Sequence, residues 1–460
     1  MPDDLNPDKD ILYQRAQDLK TLGIQPYALH FDRSHLLFEI HENYEETGGD
    51  LPGQEGVFTL CGRVLSFKQY QAGIMVVIAD QDSTLQLLVS KDLMTTRAFE
   101  LFAAYLYEGD YIGVTVDYLY RERGELTGMV KAWNFLALAN IPIPKHLSVE
   151  RRRVQQHLYL ASNLSAREVV ITRARILRFL RQQLAEQGIY DVITAQSDPD
   201  SVTNALLQYI VGGIEQVYEI TARRNAQTAD WLNHSHELWL HCCIALKSPQ
   251  HMMHLLEHLL NRLTLHLHST SRLIWQPLDR MNPTGASESV EIINENHTLE
   301  IDMSLHWATR SLNQILNDVL DIDFTCISTP DHALHVLRRL GYAIDLPDSE
   351  ISLTAIAEQV FQDYAAPALI QPTFVVFPAG ETRVSERFEL YINGILLASG
   401  RSEVTDPAVR GANGTMQEDF WEKLMIGMPP VSSMALHLDR LAMLMIGATD
   451  IRDVAHFLAD

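Results

Sequence analysis

Arg440 stands where a strand is expected to run directly into a helix, a junction at which a guanidinium can meet an anion held against a sheet. The reading comes from the run Gly427-Met-Pro-Pro-Val-Ser-Ser-Met-Ala-Leu-His-Leu-Asp-Arg440. Two prolines exclude a strand or helix interior at its start, so residues 427–430 are expected to turn. Residues 433–438 then read as a strand. From Asp439 on, Leu441, Leu444 and Met445 recur at helical spacing, with Asp439 placed to cap the helix and Gly447 to end it. A second group of chemistry-bearing side chains is His251, His254 and His258, at i, i+3 and i+7 on one helical face with Glu257 beside them. Zinc would accept such a set, although a solvated His/Glu face is the commoner meaning of this spacing. A third is the arginine series Arg173, Arg175, Arg178 and Arg181 around a helix expected over residues 165–187. It suits phosphate contacts, or more simply intrahelical ion pairs.

These groups need a scaffold, and 460 residues are enough for two or three domains with a sizeable core. With 36 Lys and Arg against 59 Asp and Glu, the formal net charge is −23. Such a chain repels nucleic acid on average, although a local basic patch can still bind it. The four cysteines, Cys61, Cys242, Cys243 and Cys326, lack metal-ligand spacing and fit a reducing cytoplasm. No apolar run is long enough to suggest a membrane span, and no signal core opens the chain.

Asn6-Pro7 signals the start of a short amphipathic helix that carries Leu19 and Leu22 and ends at Gly23. A Gly-rich acidic loop follows over residues 44–56. Alternation then predicts strands at 57–67, 74–79 and 85–89, a helix at 98–107, and two more strands at 111–118 and 125–135. Three strands, a helix and two strands is the order of an OB-fold, a small barrel that commonly binds single-stranded nucleic acid. Asn140-Ile-Pro-Ile-Pro-Lys145 is a stiff linker. The expected organisation is α+β: an N-terminal helix and loop (1–55), an OB barrel (56–145), and a mostly antiparallel sheet flanked by helices (146–460). Within the last part, 277–296 reads as a polar loop and 307–369 as a largely helical insertion.

The run 427–440, with Ile451-Arg-Asp-Val454 after it, resembles the third signature motif of class II aminoacyl-tRNA synthetases, and its wording resembles the lysyl branch. The resemblance extends over the whole chain. Cys61-Gly-Arg-Val, Asp80, Gly109-Asp-Tyr-Ile-Gly-Val114 and Gly124-Glu-Leu-Thr127 look like landmarks of the lysyl-tRNA synthetase anticodon-binding domain. It implies RNA contacts from Arg63, Lys68, Met75, Gln86 and Glu125. Met75 falls where the family stacks an aromatic ring on the anticodon, so a stacking contribution of about 1–3 kcal/mol is expected to be largely missing. Residues 165–194 resemble the dimer-interface motif, with Ala195 where the family has proline. The pocket segment after it is much shorter than the family's.

Of the second motif, Ala222-Arg-Arg-Asn-Ala-Gln227 keeps Arg224 and Asn225 and has Ala226 for a glutamate. Trp231 falls near a loop arginine, His236 near the ring that stacks on adenine, and Leu240 near a substrate-facing glutamate. Residues 372–394 match again strand for strand. Leu396 replaces the first carboxylate of the following pair, while Glu403 keeps the second. In motif three, glycines that lie bare against ATP in the family give way to Ser432, Ser433, Met434, Ala435 and His437. The cofactors implied for any retained activity are ATP and Mg2+, with Arg224, Asn225, His236, Glu403 and Arg440 as the remaining nucleotide set, the two arginines on phosphates and Glu403 as the metal ligand. Loss of one such electrostatic contact costs on the order of 10²–10³ in rate, and several are replaced.

Three readings follow from the resemblance. The first is a catalytically impaired paralogue kept for tRNA or protein binding, cytoplasmic and homodimeric. The second is an ATP-dependent ligase of altered substrate, with His236 on adenine. The third is an ordinary lysine–tRNA ligase, which the changes in all three motifs disfavour. His437 also has a simpler meaning, as a core histidine satisfied by Asp439 or a backbone carbonyl.

Overall fold

The computed structural model describes residues 9–47, 58–122, 124–141, 143–144, 147–194, 199–224, 236–275, 299–344, 346, 351–377, 385–406 and 425–454. The chain divides into two compact units, Met1–Val169 and Val170–Asp460.

In the first unit, strands β1 (Phe58–Gln69), β2 (Gly73–Ala79), β3 (Thr84–Ser90), β4 (Tyr111–Glu122) and β5 (Glu125–Ala137) close into a barrel of order β1-β2-β3-β5-β4. The helix Thr96–Tyr105 sits between β3 and β4, capped by Thr95, whose side chain accepts from Ala98 N–H. This is the order that alternation predicted, with each strand within a few residues of its expected place. Inward residues Leu60, Val76, Ile78, Leu87, Val114 and Val130 are almost wholly buried, which is why alternation was so readable here. The leading helix is present as Lys9–Thr21, and the Asn6-Pro7 start signal lies outside the described residues. A further helix, Leu37–Thr47, covers part of the stretch read as loop. Asp80 explains it: one carboxylate oxygen accepts from Leu37 N–H at 2.8 Å and the other from Ser83 N–H at 3.2 Å, so one side chain caps that helix and closes the β2–β3 turn.

Asp110 has the same kind of double duty. It has no solvent exposure, accepts from Tyr107 N–H at 2.8 Å and Ala139 N–H at 2.7 Å, and pairs with the buried Arg15 of the leading helix. Arg15 also lies 4.0 Å from the Tyr107 ring.

In the second unit an eight-stranded sheet has the order β11-β12-β13-β14-β15-β8-β7-β6. Its strands are β6 (Tyr190–Asp191), β7 (Gln216–Arg224), β8 (His236–Ala245), β11 (Ala308–Ser311), β12 (Thr373–Phe377), β13 (Arg387–Ile392), β14 (Ile395–Ser402) and β15 (Val431–His437). A separate ribbon pairs β9 (Arg272–Trp275) with β10 (Leu299–Asp302). Pairing is antiparallel from β12 through to β7, and parallel only at the two edges, β11 on β12 and β6 on β7. The expected antiparallel sheet is therefore observed. The region read as a helical insertion does contain the helices Leu312–Leu320, Pro330–Leu340 and Leu353–Val360, but it opens with β11, a sheet strand. The loop expected at 277–296 lies outside the described residues.

One apolar face of the sheet carries Leu240, Cys242, Met434, Leu436, Phe388 and Leu390, all nearly or fully buried. Helices Pro249–His268 and Leu438–Ile446 pack on the sheet. Gly400 lies on this face because a Cβ there would sit 2.5 Å from the Phe388 ring.

The Asp110 arrangement generates a stability prediction. Asp110→Ala would strand a buried guanidinium and two backbone donors, and removal of one partner from such a pair costs about 3–5 kcal/mol. Urea unfolding followed by Trp133 fluorescence is expected to show that loss in the barrel transition, with Asp110→Asn intermediate.

Candidate functional site

The sheet's other face brings the sequence-picked residues together. Residues directly opposite across a ladder share a face, and successive residues alternate. Glu237, Trp239 and His241 of β8 thus lie with Ser433, Ala435 and His437 of β15, since Trp239 pairs with His437, His241 with Ala435 and Cys243 with Ser433 in register. Arg401 and Ser399 of β14 continue the rows opposite Ser433 and Ala435, and Arg387 of β13 lies opposite Arg401. Of the five positions where the resemblance implies bare glycine backbone, Ser433, Ala435 and His437 therefore project onto this surface, while Ser432 and Met434 project to the apolar face. A cavity of about 170 Å3 opens there, lined in part by His241, Arg387, Ser399, Arg401 and Ser433.

Of the retained charged groups, Glu403 and Arg440 have internal partners. Glu403 is 8% exposed, and its Oε1 accepts from Arg401 Nε at 2.9 Å and from Ser433 Oγ at 2.5 Å. Arg440 donates from Nη1 to the carbonyl of Leu396 at 2.9 Å. Glu389 accepts from the Tyr391 hydroxyl at 2.9 Å, and burial followed by this carboxylate pushes the phenol pKa up.

His437 is fully buried and does not point to a carbonyl or to Asp439. Its Nδ1 accepts from Arg440 N–H at 3.3 Å, which makes His437 the N-cap of helix Leu438–Ile446 in place of the expected Asp439. Acceptance at Nδ1 puts the proton of the neutral ring on Nε2, which faces Glu237 Oε2 at 3.6 Å. Glu237 also accepts from Trp239 Nε1 at 3.2 Å, and the Trp239 and His437 ring centroids are 4.4 Å apart. Burial holds the imidazole pKa below its usual value, against the opposing pull of Glu237. Asp439 is buried instead as an anchor: Oδ1 accepts from Arg173 Nη2 at 2.6 Å and Oδ2 from Leu238 N–H at 2.7 Å.

The remaining sequence-picked residues fall as follows. Arg224 ends β7 opposite His236, which opens β8 half-buried, while Asn225, Ala226 and Trp231 lie outside the described residues, as does Ala195. Leu240 is buried on the apolar face, paired with Leu436. The carboxylate that β8 offers to the open face is Glu237, three residues earlier, which the sequence reading did not pick. An odd shift in register exchanges the two faces of a strand, and that was the signal available.

Glu257 does not serve a metal with His251, His254 and His258. Its Oε1 accepts from Trp307 N–H at 2.8 Å and from His306 N–H, and no group of three His, Cys, Asp or Glu among the described residues is placed to hold a metal.

On the barrel, Lys68, Met75 and Leu88 form one cross-strand row, and Val77 and Gln86 lie in the next. Lys68 is exposed, Met75 partly so. Gln86 Oε1 accepts from Thr127 Oγ1 at 3.0 Å, and Gln86 and the exposed Glu125 line a cavity of about 350 Å3 beside His41. Arg63 is committed elsewhere: its Nη1 donates to Gly109 carbonyl at 2.9 Å and its guanidinium lies 4.5 Å from the Tyr111 ring.

The antiparallel sheet with its motif-bearing strand and helix is the arrangement of one class of protein, and comparison with known proteins agrees. Residues 199–460 match the family described as tRNA synthetases class II (D, K and N). The chain is 26% identical to a lysine–tRNA ligase of Parasynechococcus marenigrum, across 98% of this chain and 96% of that protein. It is 25% identical to that of Syntrophomonas wolfei, with the same coverage, and 27% identical to that of Moorella thermoacetica, over 98% of both chains. The chain belongs to the class II tRNA synthetases, in the lysyl-tRNA synthetase family. Among the described residues no helix is long and apolar enough to cross a membrane.

His437 sets a pH dependence. Because its folded-state pKa is depressed, the unfolded chain binds the proton first. Stability is unaffected above the unfolded value near about 6.5 and falls, by up to about 1.4 kcal/mol per pH unit, as pH drops from there toward the folded pKa. Asparagine retains an acceptor for Arg440 N–H but does not titrate. Chemical unfolding of His437→Asn between about pH 7 and 5 is expected to show a shallower loss of stability than the unmodified chain.

Proposed function

We propose that this lysyl-tRNA synthetase-like protein does not form lysyl adenylate and serves as a binding or regulatory paralogue in the cytoplasm. The observation that carries the proposal is the placement of Ser433, Ala435 and His437 on the open face of the sheet, which leaves a cavity of about 170 Å3. Ligand pockets commonly hold roughly 300–1,000 Å3, and this cavity is smaller, which supports a site that no longer takes an amino acid together with ATP. The charges agree with the volume. Glu403, the implied metal ligand, is satisfied by Arg401 and Ser433, and Arg440, the implied phosphate ligand, donates to Leu396. The second reading, an ATP-dependent ligase of altered substrate, is favoured by the pairing of Arg224 with His236 in the register of β7 and β8.

For RNA, Lys68, Met75, Gln86 and Glu125 remain the candidate contacts, with a cation and a thioether where stacking would need a ring. Such a face supports salt-sensitive phosphate contact with little base preference.

Lysine-dependent pyrophosphate exchange is expected at background, and gel-shift titration of lysine tRNA is expected to give a weak complex that dissolves as salt rises. Exchange above background would refute the proposal, whereas calorimetric binding of ATP·Mg2+ without lysine exchange would move it to the altered-substrate ligase.

We also propose a homodimer. The edge strand β6 and the residues after it present Tyr190 at 64% and Ile193 at 88% exposure, in the segment that resembles the family's pairing motif. Light scattering at micromolar concentration is expected to give twice the chain mass, and Ile193→Asp to lower it; a monomer in the unmodified protein would end this part.

A further inference from the structure

The helix Pro249–His268 turns His251, His254 and His258 toward the end of helix Leu164–Glu186. Between them lies a cavity of about 270 Å3, separate from the open face of the sheet, with the three histidines and Arg262 on its wall and Leu255 and Leu259 at its base. Gln183 reaches it from the other helix and is only 3% exposed. Its Nε2 donates to Glu186 Oε2 at 3.0 Å. A carboxylate only accepts, so this bond settles which end of the amide carries the protons. Oε1 is left as a buried acceptor with no hydrogen-bond partner. Buried acceptors of this kind are rare unless a ligand or water donates to them.

Two carboxylates stand just behind the wall, Glu186 on Gln183 and Glu257 beside His254. No carboxylate lines the cavity. Glu257, on the same helix, is held by the backbone N–H groups of His306 and Trp307 and stands 3.5 Å from His254 Nδ1. Arg262 is exposed, and burial, Lys247 and His254 together hold the His251 pKa down, as a cation-rich surrounding would. A single metal ion does not match the site. The histidines do not converge on a point, and the volume is several times the roughly 30 Å3 that one water occupies. Imidazole rings, a guanidinium and one bare acceptor call for an anion that also carries a hydrogen-bond donor.

We infer that this cavity binds a small phosphate monoester, its oxyanion held by Arg262 and imidazole N–H groups, its hydroxyl donating to Gln183 Oε1, and its carbon chain lying on Leu255 and Leu259. A guanidinium matches phosphate oxygens with two parallel N–H bonds, which an ammonium does not. The volume is slightly below the roughly 300 Å3 typical of small-molecule pockets, so the ligand has a few carbons and is not a nucleotide.

Calorimetric titration of the full chain at low ionic strength with glycerol 3-phosphate tests this, with inorganic phosphate and glycerol as partial probes. Saturable binding is expected for glycerol 3-phosphate, weaker binding for phosphate, and none for glycerol. Gln183→Leu removes the bare acceptor at nearly constant volume. It is expected to fold at least as stably in a thermal melt and to bind glycerol 3-phosphate about ten-fold more weakly, with phosphate unchanged. Arg262→Gln, at an exposed position, is expected to abolish binding of both. The inference is overturned by an absence of saturable heat with glycerol 3-phosphate, by equal affinity in the unmodified chain and both variants, or by a response of this face to Zn2+ alone.

Discussion

A carboxylate with no solvent exposure has to be met by donors, and Asp439 is met from two directions at once. Arg173 reaches it from the long helix Leu164–Glu186, and Leu238 N–H reaches it from β8. The residue itself stands in the first turn of the C-terminal helix. One buried charge therefore fixes a helix, a central strand and the closing helix relative to each other. Any arrangement that separates them leaves an ion in a low-dielectric interior, at a cost of several kcal/mol. The pairing of β8 with β15 follows from this grip, and with it the set of side chains that share the open face.

Given that frame, the character of the open face is a matter of side chains. Every second residue of β15 carries atoms beyond Cα toward that face, and carboxylates beside it are held by their own neighbours. Glu403 takes a guanidinium and a hydroxyl from its own neighbours, and Glu237 takes an indole N–H and faces an imidazole.

The barrel was readable in the sequence because its strands are half-buried, so buried residues such as Leu60, Val76, Leu87 and Val130 alternate with more exposed neighbours. The C-terminal strand and helix were readable from two prolines and a closing glycine. The cap was not. Local rules select Asp439, since aspartate is a good N-cap, yet its carboxylate is taken by an arginine 266 residues away, and the histidine two positions earlier caps the helix instead. The four-residue strand β11 is invisible for a similar reason: its partner β12 lies beyond three helices, and nothing in Ala308–Ser311 itself marks a strand. Arg63 was read as an RNA contact, but its engagement with Gly109 and Tyr111 depends on the register of β1 and β4, which composition cannot supply.

His437 is at once a fully buried member of the sheet face, the cap of the last helix and the neighbour of Glu237 and Trp239. Glycine at this position would strip the ring from beside an indole and a carboxylate, open a void in a packed interior and remove the acceptor for Arg440 N–H. The start of the C-terminal helix and the make-up of the sheet face therefore hang on one ring, so a change that reshapes the face there also loosens the helix.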